Sequence, residues 1–222
     1  IKIEESAANT PQIAHAYLEV DKVSKEKLLL NLLTVENPDS CIIFCNTKDA
    51  VDSVVQYLDK AGLPIDKLHG GMEQEDRLRV MDDFRFGKFR YLVATDVAAR
   101  GIDVDHVTHV INFDVPFEKE SYTHRSGRTG RAGRTGTALT LVSNHDRRRF
   151  QEIRDHAFDG DYQPDQRSAP REEEVTKAQP AFQNKIQTRP EIKAARNKEL
   201  NKDITKLYFD GGKKKKLRAG DF

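Results

Sequence analysis

The residues of this chain best suited to chemistry stand in one run, Tyr122-Thr123-His124-Arg125-Ser126-Gly127-Arg128-Thr129-Gly130-Arg131, in which arginines recur at every third position. A guanidinium is planar, keeps its charge and offers several N–H donors in fixed geometry, which suits it to a polyphosphate. The glycines and hydroxyl residues between leave the backbone unobstructed, so the side chains can converge on one polyanion. An arginine that reaches a transferring phosphoryl group is worth roughly 10³ to 10⁵ in rate, or about 4 to 7 kcal/mol of barrier. A flexible basic loop that touches nucleic acid through phosphates alone would use the same residues. The run by itself admits both readings.

Other segments carry weaker versions of the same chemistry. Ala94-Thr95-Asp96-Val97-Ala98-Ala99-Arg100-Gly101-Ile102-Asp103 sets a hydroxyl, two carboxylates and an arginine among residues too small to be chosen for core packing. Asp103 is suited to accepting hydrogen bonds from a ribose, or to pairing with Arg100, and Thr95 to donating to a backbone phosphate. Gln74-Glu75-Asp76-Arg77 opens a helix whose first-turn N–H groups attract phosphate, with Arg77 adding charge. A solvated first turn would look the same.

Positioning these groups is the work of an alternating pattern from Ile13 to about His156. Short β-branched runs, Ala14–Val20, Cys41–Asn46, Ile65–His69, Tyr91–Thr95, Val107–Phe113 and Thr137–Val142, read as strands. Between them Val51, Val54, Val55 and Leu58 follow helical spacing, with Thr47 to cap and Gly62 to stop the helix. Glu73–Phe86 is similar, with Leu78, Met81 and Phe84 expected inward and Gly87 as its stop, and residues 144–156 form a last helix with Asn144 as cap. The expected fold class is α/β, a parallel sheet flanked by helices. In such a sheet ligands bind beyond the carboxyl ends of strands, where Asn46-Thr47-Lys48, Gly70-Gly71 and Asp96 fall.

After Phe158 the alternation fades into Pro, Gln, Glu and Arg, so residues 159–204 are expected to be a linker, partly helical over 191–204. The net charge of +1 hides an asymmetry: residues 192–222 carry ten Lys/Arg against four Asp/Glu, a polyanion-binding composition on a mildly acidic body. Cys41 and Cys45 lie in one strand, about 13 Å apart along it, too far for a disulfide. They are expected to be core thiols of a reducing compartment. No Cys-x-x-Cys, His cluster, signal peptide or long apolar run is present, so a metal site, export and a membrane span are not expected, and the location expected is cytoplasmic.

In order, the chain carries Ile42-Ile43-Phe44-Cys45-Asn46-Thr47-Lys48, Gln74-Glu75-Asp76-Arg77, Ala94 to Asp103, and His124-Arg125-Ser126-Gly127-Arg128-Thr129-Gly130-Arg131. Over about residues 13–156 this resembles the second RecA-like domain of a DEAD-box RNA helicase, with its motifs IV, QxxR, V and VI. Ser126 is the one departure, where the family more often has an apolar residue. The stretch Leu200 to Lys216, followed by Arg218-Ala219-Gly220-Asp221, is similar to the start of the RRM-like RNA-binding domain of the DbpA subfamily. That domain selects a large-subunit ribosomal RNA hairpin, and only its opening remains in 205–222.

The resemblance implies a role for each position. Arg128 and Arg131 are expected to reach the γ-phosphate of ATP as arginine fingers, with Gly101 and Asp103 at the nucleotide and Asp103 on its ribose. They would project from one sheet edge on the side of Asp103. His124 and Arg125 would bridge to the N-terminal RecA-like domain. Thr47, Gly71, Arg77 and Thr95 would hold one RNA strand by its backbone, and Lys213, Lys214, Lys215 and Lys216 would add contacts to RNA, with large-subunit ribosomal RNA the implied partner. The chain has no Gly-x-x-x-x-Gly-Lys-[Ser/Thr] loop and no Asp-Glu-Ala-Asp, and Gly87-Lys88 is a turn rather than a P-loop. ATP with Mg²⁺ would therefore sit mainly on a domain upstream of Ile1, and this chain alone would not turn ATP over. The competing class is a non-catalytic RNA-binding module whose arginines contact phosphates only; a DNA helicase is a lesser alternative.

Overall fold

Strands that all run the same way must be joined by crossovers, and the helical segments between the β-branched runs supply them. The structure, a computed structural model, describes residues 12–20, 24–99, 107–131, 133–158 and 162–188. The chain divides into a unit of residues 1–192 and one of residues 193–222, and every described residue belongs to the first. Its strands are β1 (Gln12–Val20), β2 (Cys41–Cys45), β3 (Ile65–Leu68), β4 (Tyr91–Thr95), β5 (His109–Asn112), β6 (Thr135–Ser143) and β7 (Asp165–Arg167). They form one sheet in the order β3-β4-β2-β5-β6-β1-β7, with every neighbouring pair parallel.

The helices are α1 (Lys25–Glu36), α2 (Lys48–Lys60), α3 (Gln74–Arg85), α4 (Asp96–Ala99), α5 (Lys119–Ser126), α6 (Arg147–Ala157) and α7 (Glu172–Ile186). The interior strand β2 is buried at all of its residues, as a sheet covered on both faces requires. One core joins Ile43, Val93 and Ile111 to Leu29 and Leu33 of α1, Val51 and Leu58 of α2, and Phe182 of α7. Another joins Ile42, Phe44 and Leu92 to Val80 and Phe84 of α3. A smaller one holds Tyr122 of α5, Phe150 and Ile153 of α6, Val142 and Phe158.

Local chemistry sets the ends of these elements. Thr47 accepts the Ala50 amide and caps α2, and Gly62 and Gly87 take the left-handed backbone that ends α2 and α3. Both cysteines are free and buried, and desolvation raises both thiols far above their ordinary range. The third predicted helix start differs: Asn144 opens a short 3₁₀ turn, and α6 follows from Arg147.

Three expectations are corrected. Leu78 is 53% exposed rather than inward, because Val80 and Phe84 present the buried face of α3. Helices α1 and α5 form where no helix was expected. Residues 162–188 are not a linker: β7 pairs with β1 and Phe182 is buried in the main core. The buried guanidinium of Arg90 fastens the end of α7 by donating to the carbonyl oxygens of Lys185, Thr188 and Asp39 and to Thr188 Oγ1. Residues 191–204, expected to be partly helical, lie outside the described residues.

Candidate functional site

Because the sheet is fully parallel, all strand carboxyl ends share one edge, and the candidate backbone-binding residues collect there. Thr47 follows β2, Thr95 ends β4, and Gly70-Gly71 follow β3, on three adjacent strands. Neighbouring strands lie about 4.8 Å apart, so these groups fall within the span of a few nucleotides. Thr47, Lys48, Gly70 and Gly71 are exposed and Thr95 is half-buried. Arg77 stands on the first turn of α3, which has no side-chain cap, and donates through Nη1 to Gln74 Oε1, while its buried Nε has no partner among the described residues. Exposed hydroxyls, glycines and an N-terminal helix turn make neutral, sequence-blind contacts of the type suited to phosphate.

Arg125 belongs to this end as well, but inside it. The α5 helix ends at Ser126, so Arg125 sits on the helix and turns inward, where it is 1% exposed. Its five N–H donors are all used: Nε and Nη2 on the two oxygens of Asp96, Nη2 also on Asn46 Oδ1, and Nη1 on Asn112 Oδ1 and the Asp114 carbonyl. The guanidinium also lies over the Phe44 ring. The expectation that Arg125 bridges to another domain is therefore corrected: it ties the ends of β2, β4 and β5 together within this one. Asp114 extends the network to the Asn46 amide and to Lys25 Nζ. Arg125 was legible as a charged motif residue; its inward aim follows from α5, which sequence periodicity did not show. His124 is exposed on the same helix.

The backbone between Arg128 and Arg131 reaches the opposite end of the sheet. Thr129 forms a parallel bridge with Val107, just before β5, and its hydroxyl donates to the carbonyl oxygens of Val107 and Thr108. Gly130 takes φ +68° against Gln12 and Ile13 at the start of β1, where a Cβ would come within 2.6 Å of Ile13 Cγ1. At Gly136, the second residue of β6, a Cβ would meet Thr129 Oγ1 at 2.2 Å. The arginine segment is thus clamped onto the amino ends of β5, β6 and β1. Of the expected site residues, Thr47, Gly71 and Thr95 stand at the carboxyl ends of strands, whereas Thr129 and Gly130, between the two arginines, stand at amino ends. Strands of four to five residues separate the two ends by about 13 to 16 Å.

The arginine pair is electrostatically loaded. Burial first, and the Arg131 charge second, hold the Arg128 guanidinium below its ordinary pKa. Arg131 is exposed and donates from Nε to the Gly127 carbonyl at 2.6 Å. Two like charges that act on each other favour a nearby anion. Gly101 and Asp103, expected at the nucleotide, lie outside the described residues, as do Lys213, Lys214, Lys215 and Lys216.

A parallel sheet with a motif cluster at each end defines a RecA-like helicase domain, and the comparisons agree. Residues 24–133 match the model described as the helicase conserved C-terminal domain. The chain is 50% identical over 222 residues to the ATP-dependent RNA helicase DbpA of Bacillus subtilis, covering all of this chain and 46% of that protein. It is 41% identical over 143 residues to the DEAD-box ATP-dependent RNA helicase CshA of Geobacillus kaustophilus, covering 64% of this chain and 31% of that one. Among solved structures, the E. coli DEAD-box protein SrmB, in complex with regulator of ribonuclease activity A, superposes with TM-score 0.65 and 35% identity over 73% of this chain and 94% of that one. Dbp5 of S. cerevisiae bound to RNA and ADP BeF3 superposes with TM-score 0.68 and 28% identity, over 80% of this chain and 46% of that one. The chain belongs to the DEAD-box RNA helicases and carries their C-terminal RecA-like domain. It spans less than half the length of the curated relatives it matches.

Proposed function

We propose that this chain is the second motor domain of an ATP-dependent RNA helicase, gripping RNA at the carboxyl edge of its sheet and serving ATP at the amino edge. The observation that carries the reading is the clamped, like-charged pair Arg128 and Arg131, a preorganised cationic site with no sequence-reading chemistry of its own. ATP is held mainly by an N-terminal RecA-like domain of the same protein, which also keeps Mg²⁺. Arg128 and Arg131 reach its γ-phosphate as arginine fingers, and Gly101 and Asp103 contact the nucleoside. Their guanidiniums neutralise charge on the transferring phosphoryl group, which is where such contacts accelerate transfer.

Thr47, Gly71, Arg77 and Thr95 hold one RNA strand by its sugar-phosphate backbone. Closure of the two domains on ATP bends that strand and destabilises a short duplex locally, and loss of the γ-phosphate lets the cleft reopen. His124 contacts the upstream domain in the closed state. Backbone contacts carry no sequence information, so target choice falls to the basic C-terminal segment, including Lys213, Lys214, Lys215 and Lys216. The resemblance of residues 200–221 to the start of the DbpA-subfamily RNA-binding domain is what motivates large-subunit ribosomal RNA as the target, in cytoplasmic ribosome assembly.

The test is unwinding of short RNA and DNA duplexes by the protein joined to its upstream domain. ATP-dependent separation of the RNA duplex alone is expected, with Thr95→Ala weakening RNA binding roughly fivefold through the loss of one hydrogen bond. Equal activity on DNA, or RNA binding unmoved by Thr95→Ala, would contradict the reading.

A further inference from the structure

We propose that His69 is the positioning residue of the Gly70-Gly71 turn, holding the glycines in the shape that receives the RNA backbone. The inference rests on the reading of Gly71 as an RNA contact. His69 follows β3 directly and is 6% exposed, although it is polar and adjoins two exposed glycines. It closes the turn twice. Its carbonyl accepts the Met72 amide at 3.2 Å, and its ring Nδ1 accepts the Gly71 amide at 3.2 Å.

The second bond fixes the state of the ring. An Nδ1 that accepts an N–H carries no proton, so the proton of the neutral imidazole resides on Nε2. Nε2 is buried with no hydrogen-bond partner among the described residues and lies 3.5 Å from Asp52 Oδ1 of α2. Asp52 is held below the usual carboxylate range, first by its hydrogen bond from Lys67 of β3 and also by the nearby His69. The aliphatic chain of Lys48 passes the same turn, with Cδ 3.8 Å from where a Gly71 Cβ would lie.

The ring also explains why residue 71 is glycine. A Cβ there would stand 3.2 Å from Nδ1 and 3.4 Å from Cε1 of His69, so any side chain would press on the imidazole that fixes the turn. Filling space requires only volume. Satisfying the Gly71 amide requires an acceptor at the Nδ1 position, and the two needs can be separated by substitution.

His69→Asn keeps an acceptor close to the Nδ1 position, His69→Gln moves it toward the Nε2 position, and His69→Leu keeps volume with no acceptor. Dissociation constants for a fluorescein-labelled single-stranded oligouridylate are measured on the protein joined to its upstream domain, with thermal midpoints recorded alongside. Affinity within about twofold of the parent is expected for Asn, and weakening by about fivefold for Gln and Leu, as for one lost hydrogen bond. If Asn, Gln and Leu weaken binding equally, or none weakens it, while Thr95→Ala still does, the role of His69 is overturned. If Thr95→Ala also leaves affinity unchanged, the RNA grip itself is overturned and the role of His69 falls with it.

Discussion

Arg125 shows that a motif residue can act entirely within its own domain. Its five donors reach Asp96, Asn46, Asn112 and the Asp114 carbonyl, so it is the buried knot that sets the spacing of the carboxyl ends of β2, β4 and β5. Removing one partner of such a network leaves the others desolvated and unpaired, which costs more than the intact network contributes. Arg125→Ala is expected to lower stability by about 3 kcal/mol or more, read from denaturant midpoints at constant slope; a loss below about 1 kcal/mol would contradict the account. Lysine will not substitute, because a point charge cannot serve these divergent acceptors. The sequence presents Arg125, Arg128 and Arg131 as equivalent by spacing. They differ because α5 ends between the first and the second, a boundary that the polar composition of residues 119–126 conceals.

At the scale of elements, strands were legible and the helices that pack by composition were not. Six β-branched runs mark β1 to β6 within a few residues, since parallel strands buried on both faces must be apolar throughout. Helix α1 escaped because Leu28, Leu29, Leu30, Leu32 and Leu33 crowd around it and blur the helical period. Strand β7 is polar and three residues long, and α7 dilutes its stripe of Val175, Phe182 and Ile186 with Glu, Gln and Pro180. The candidate site was legible as residue types and order, whereas its division between two sheet ends depends on topology alone.

Strand β1 adds a pH-dependent feature. His15 donates to or accepts from Tyr122 Oη at 3.0 Å and packs among Tyr122, Phe158 and Tyr162, and burial lowers its pKa from 6.5 to about 4. Between those values the unfolded chain binds the proton and the folded one does not, so stability falls as pH drops from 6.5 toward 4. Discounted for the half-exposed ring, the effect is about 1 to 2 kcal/mol. Thermal or denaturant unfolding of the parent and of His15→Gln should show the same pH slope above about 6.5 and a steeper loss for the parent on acidification below it. Parallel curves would contradict the shift.

The whole unit carries its candidate RNA-contact residues, Thr47, Gly71, Arg77 and Thr95, at one end of the sheet and the segment of Arg128 and Arg131 at the other, with rigid strands between. In the proposed cycle, RNA and ATP would communicate through the orientation of one body rather than through a deformable path. Residues 162–188 complete that body. Phe182→Ala, in the main core, is expected to cost about 3 to 5 kcal/mol, and a denaturation midpoint unchanged by it would return this segment to the status of a linker. No helix among the described residues is long and apolar enough to cross a membrane.

The division of labour between the two ends is tested most directly by Arg128→Ala in the protein joined to its upstream domain, with RNA-stimulated ATP hydrolysis and RNA affinity measured on the same preparation. The account predicts a loss of turnover of about 10³-fold or more, with RNA affinity nearly unchanged because Thr129 and Gly130, next to the arginine, are anchored at the amino ends of the strands. Near-normal turnover accompanied by weakened, less salt-dependent RNA binding would contradict it and make the pair a phosphate contact of an RNA-binding module.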